Sequence, residues 1–80
     1  MYNVLIDQIT DIIVDTANPA ALDAILRRFG AFICQIDAHK GTYLKREGGY
    51  VVRCFGNVEA VEAIIRNQGC GKLLKRLPEL

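Results

Sequence analysis

The chain has 80 residues, enough for one domain and too few for two. Its ten basic and nine acidic residues leave a net charge of +1, without the basic excess that marks most small nucleic-acid binders. Apolar residues make up 51% of it, yet apolar runs such as Val4-Leu5-Ile6 and Ile12-Ile13-Val14 fall far short of the ~20 residues a membrane span needs.

The first sixteen residues carry two patterns at once. Tyr2, Leu5, Ile6, Ile9, Ile12 and Ile13 form a helical stripe opposite Asp7, Asp11 and Asp15, whereas β-branched Val4, Ile6, Ile9, Thr10, Ile12, Val14 and Thr16 favour a strand. Asn18-Pro19 then reads as an N-cap followed by proline at the first helical position. Leu22, Ile25, Leu26 and Phe29 recur at helical spacing, with Asp23, Arg27 and Arg28 off the stripe, so a helix is expected over residues 19–29 with Gly30 ending it. Phe32, Cys34 and Ile36 alternate with Ile33, Gln35 and Asp37 in the manner of a strand. Ala38-His39-Lys40-Gly41 reads as a turn, and Gly48-Gly49 between two strand-like runs reads as a hairpin turn, so residues 31–55 are expected to be a β-meander. Asn57, Glu59 and the stripe Val58, Val61, Ile64 and Ile65 give a second helix over residues 58–68, ended by Gly69. Lys72-Leu73-Leu74-Lys75-Arg76-Leu77 fits either type, and Pro78 stops it.

Taking residues 11–16 and 72–77 as strands gives the order β-α-β-β-α-β. That is a two-layer α+β sandwich of ferredoxin-like plan with an antiparallel sheet, in which the first and last strands are neighbours. The charges agree: Asp7, Asp11 and Asp15 on the first segment would face Lys72, Lys75 and Arg76 on the last. The alternative is an N-terminal helix, then a helix, a three-stranded β-meander and a final helix.

No catalytic or cofactor-binding residue is expected. His39 with Asp37 would make a base and its orienter, and Cys34 or Cys54 a nucleophile, but no strained nucleophile elbow accompanies them and His39 lies in a polar turn. The three cysteines and His39 lack the close ligand pairs of structural zinc sites, so no metal is expected, and Cys34 and Cys54 read as small core residues. An odd number of cysteines, no CxxC and no secretory pattern at the N-terminus point to a reducing, cytoplasmic setting. Gln68-Gly69-Cys70-Gly71-Lys72 is a helix end and turn that would also expose a reactive thiol at Cys70. Lys40, Lys45, Arg46 and Arg53 are the candidate nucleic-acid contacts. Gly49-Tyr50-Val51-Val52-Arg53-Cys54-Phe55, however, lacks the leading base and the middle aromatic of an RNA-binding sheet motif.

If Phe32, Cys34, Ile36, Tyr50, Val52 and Cys54 fill the core side, then Ile33, Val51 and Phe55 are left on the other face as candidate protein-binding residues. A second copy or a target would cover that face. Asn18-Pro19-Ala20-Ala21-Leu22 resembles the Pro-Gly-x-Leu start of the first helix in the ACT family of regulatory modules, with Ala20 in the glycine's place. That resemblance implies paired sheets, and the alanine removes the close approach a ligand would use. The expected function is therefore a non-enzymatic binding or regulatory module, a homodimer, acting through protein contacts as an inhibitor of a larger complex would. The rival expectations are a small RNA- or DNA-binding domain and a thiol- or metal-responsive sensor.

Overall fold

From residue 9 onward, β-branched content decides the N-terminal ambiguity in favour of a strand, and residues 1–8 lie outside the described residues. In a computed structural model of the chain, residues 9–77 are described, and Ile9–Asp15 forms β1. Helix α1, Pro19–Leu26, begins where the Asn18 side chain accepts a hydrogen bond from the Ala21 N–H at 3.2 Å. It tightens into a 3-10 turn over Arg27–Phe29, and Gly30 ends it at a left-handed φ of 77°. Strand β2 is Ala31–Ile33, after which the chain leaves the sheet and builds a separate small hairpin from β3, Gln35–Asp37, and β4, Thr42–Tyr43. It returns as β5, Lys45–Arg46, and β6, Gly49–Phe55. Helix α2, Val58–Gln68, is capped by Asn57, whose side chain accepts from the Glu59 and Ala60 N–H groups, and β7 is Lys72–Arg76.

The main sheet runs β2-β6-β1-β7 with every pairing antiparallel, and β5 joins β6 on the side of β2. The molecule is thus a small α+β domain with an antiparallel sheet and two helices, and its first and last strands pair. The meander expected over residues 31–55 is broken instead: β3 and β4 pair with each other and not with the main sheet. The hairpin turn also shifts by one residue. Lys45 faces Tyr50 and Arg46 faces Gly49, so the turn residues are Glu47 and Gly48, both at positive φ, and Gly49 opens β6.

One core forms between the sheet and both helices: Ile12, Val14, Leu22, Leu26, Ala31, Ile33, Val52, Cys54, Val61 and Ile65. Alternation puts Asp11, Ile13, Phe32, Val51, Arg53 and Phe55 on the opposite face. Ile33, expected on that opposite face, is therefore a core residue. The parity is set by β2 being only three residues long, with Ala31 and Ile33 inward and Phe32 outward. Ile36, expected inward, stands exposed on β3. Tyr50, Val52 and Cys54 do face the core, and Val51 and Phe55 lie opposite.

The charges tie the molecule together differently from the expected β1–β7 ladder. Asp11 takes Arg53 of β6 in a bidentate pair at 2.9 and 3.0 Å. Lys75 bonds Glu47 of the hairpin turn, and Arg76 bonds Glu62 of α2 through two contacts. Asp15 does face Lys72 in register, while Asp7 lies outside the described residues.

Candidate docking surface

Strand edges are the first place a sheet can recruit another chain, and both edges here are blunted. On β2, the outward Ile33 N–H donates to the Asp23 carboxylate at 2.8 Å, and the Arg27 Nε–H holds the other carboxylate oxygen at 3.0 Å. Asp23 is buried, so the stopper is built from α1 into the sheet edge. The other edge is β7. Lys75 faces Ile13 and Leu73 faces Val14, which makes Leu74 an extra, bulged residue, and Lys72, Lys75 and Arg76 line the short strand. Bulges and lysines both oppose strand addition.

What remains is the face opposite the helices. Its middle is closed, since Ile13 and Val51 are buried. Its end is open. Ile9 and Phe55 are register partners, 38% and 49% exposed. Phe55 packs on Phe32 with ring centroids 5.6 Å apart and planes tilted by 35°, an aromatic pair worth about 0.5–1.5 kcal/mol beyond its buried area. The Arg27 guanidinium sits 5.6 Å from the Phe32 ring centroid, reaching round the β2 edge from the 3-10 turn that follows α1. Arg53, the register partner of Phe32, borders the rings on the same face with its Asp11 partner. Phe29, half exposed, precedes Gly30, whose carbonyl accepts the Phe55 N–H at 2.9 Å.

Of the residues expected to bind protein, Phe55 stands in this patch, Val51 is buried in the closed middle of the same face and Ile33 is in the core. Sequence reasoning missed Ile9, Phe32 and Arg27. The Ile9 and Phe32 positions follow from cross-strand register, which no local pattern carries; the Asp23–Arg27 spacing of one helical turn was the only sequence signal for the third.

The other candidates are scattered. Lys45 and Arg46 sit at the hairpin end of β6, with the Lys45 ammonium 5.0 Å from the Tyr50 ring centroid. Lys40 lies in the β3–β4 turn, where Asp37 accepts the His39 and Lys40 N–H groups instead of orienting the imidazole. Arg53 is at the opposite end of β6 from Lys45 and Arg46. Cys70 lines an open cleft of about 400 Å³ between the β1–α1 and α2–β7 loops, together with Asp15, Asn18 and Lys72, and its carbonyl accepts the Thr16 hydroxyl at 2.7 Å. Burial pushes the Cys34 thiol up, partly offset by Arg53, and pushes Cys54 up to about 12. Among the described residues no three His, Cys, Asp or Glu side chains come together as a metal site, and no helix is long and apolar enough to cross a membrane. No protein-family model matches the chain, and no curated protein or solved structure matches it either.

Proposed function

We propose that the chain is a non-enzymatic protein-binding module that docks a partner through Ile9, Phe32 and Phe55 at the open end of its sheet. The β2-β6-β1-β7 order, with a helix following each central strand, supports a ferredoxin-like plan to which β3, β4 and β5 are additions. The three free thiols support a reducing, cytoplasmic setting. The observation that carries the reading is the half-exposed Phe55 ring, packed on the partly buried Phe32, on a sheet whose two edges are stoppered. Exposed apolar residues standing singly are ordinary; two, Ile9 and Phe55, that adjoin across strands and rest on the partly buried Phe32 ring make a contact surface. Rigid aromatic anchors are the residues that carry most interface energy. Occupying a partner's surface in this way would regulate or inhibit it without chemistry.

Peptide-display selection on the immobilised chain tests the reading, with Phe55→Ser as the counter-screen. Selected peptides should bind the parent and weaken by about tenfold or more on Phe55→Ser, the loss of one hot-spot contact. Binders indifferent to Phe55 would refute it. If a second copy is the occupant, sedimentation velocity will show a dimer that Phe55→Ser dissociates.

A further inference from the structure

We infer that the partner segment is acidic as well as apolar: an aliphatic or aromatic side chain on the Phe32–Phe55 rings, flanked by Asp or Glu carboxylates that meet Arg27 and Arg53. The inference rests on the docking reading above and names the chemistry of its partner. Each ion pair bordering the rings is built with the guanidinium outward and the carboxylate recessed. The Arg27 side chain is 56% exposed against 9% for Asp23, and Arg53 is 43% exposed against 23% for Asp11. The acids are also occupied: Asp23 by the Ile33 N–H and Arg27, Asp11 by two Arg53 contacts. Arg27 spends only its Nε–H on Asp23, which leaves its terminal N–H groups to face outward beside Phe32.

An approaching surface therefore meets a ring pair bordered by arginine donors. Arginine forks bind carboxylates bidentately and stay charged when desolvated, so an acidic rim on the partner gains both hydrogen bonds and Coulomb attraction. A second copy would bring the same arginines face to face, and like charges across an interface are penalised by several kcal/mol as a class. A nucleic acid would need a continuous cationic track, whereas Lys45 and Arg46 lie at the far end of β6 and Lys40 on a separate hairpin.

Sequencing the peptides from the selection above provides the test. Those that depend on Phe55 should be enriched in Asp and Glu next to an aliphatic or aromatic residue. By fluorescence polarisation, the tightest of them should weaken about tenfold on Arg27→Gln, which leaves Asp23 its bond to the Ile33 N–H, and weaken again as salt is raised. Phe55-dependent peptides without acidic enrichment overturn the inference and leave the docking reading standing. Peptides indifferent to Phe55 overturn both. Binding of labelled oligothymidine lost on Arg27→Gln, or a dimer held through Phe55, also overturns the acidic partner.

Discussion

A methyl group at Gly49 would stand 2.7 Å from Ile13 Cγ2 and 2.9 Å from the Val14 carbonyl oxygen, so β6 can lie against β1 at this point only because the residue has no side chain. Gly49→Ala should destabilise the fold by about 1–3 kcal/mol through forced displacement of a buried strand, read as a lower urea midpoint at unchanged slope. A midpoint equal to the parent's would mean that β1 yields easily. Paired glycines suit primed turns, but the local pattern at Gly48-Gly49 does not show which glycine is required for φ and which for space. Here Gly48 supplies the positive φ with Glu47, and Gly49 supplies the space. Asp23 teaches a similar lesson. It sits off the apolar stripe of α1, yet it is buried, because its carboxylate accepts a backbone N–H ten residues on. Asp23→Ala should cost about 1–3 kcal/mol by leaving that N–H without an acceptor, and Asp23→Asn less, since an amide oxygen still accepts. Equal losses for the two variants would show that the charge, not the acceptor, closes the edge.

At the level of elements, the sequence carried both helices nearly to the residue, since Asn18, Pro19 and Gly30 bound one and Asn57 and Gly69 the other with side-chain and backbone chemistry that acts locally. The pairing of the first and last strands was also legible, but not what bonds them. Arg76 turns from β7 to the helix layer and takes both oxygens of Glu62, while Lys75 crosses to the hairpin turn. Opposite charges in sequence predicted attraction; which acid each cation meets depends on parity and on the bulge at Leu74. The Arg76 hydrogen bonds hold the Glu62 carboxyl below its ordinary 4.5. Its contribution to stability is therefore fully present above that value and is lost as pH falls through the lower, folded-state value. Glu62→Gln should melt below the parent at neutral pH, and the gap should close as the solution is acidified below pH ~4. A gap independent of pH would mean that Glu62 stabilises α2 by packing and not by its charge.

Across the whole molecule, the sheet divides two tasks between its faces: one is filled by α1 and α2, and the other keeps an open aromatic end. The division was half legible, because β6 alternates cleanly while β2 is too short to announce its parity, which is how Ile33 and Phe32 came to exchange sides. The three thiols report on it. Cys54 lies within the core, Cys34 at the bend where β2 leaves the sheet, and Cys70 on the open cleft. Under native conditions iodoacetamide should modify Cys70 first, Cys34 more slowly because burial raises its pKa, and Cys54 only as fast as the domain opens globally. The same burial sets the alkaline limit. Cys54 ionises near its ordinary 9.0 in the unfolded chain but at about 12 in the fold, so above pH 9 the folded state holds a proton that the unfolded state has released. Stability from this group is complete below about pH 9 and drains away up to about 12. Lysine and tyrosine titrations also act there, so the comparison must be with Cys54→Ala, which lacks only this group. The parent's urea midpoint should fall more steeply than the variant's above pH 9. Parallel profiles, or Cys54 labelling as fast as Cys34, would instead place the β2 edge among the parts that open locally, and the stopper at Asp23 would then be too weak to keep that edge closed to other strands.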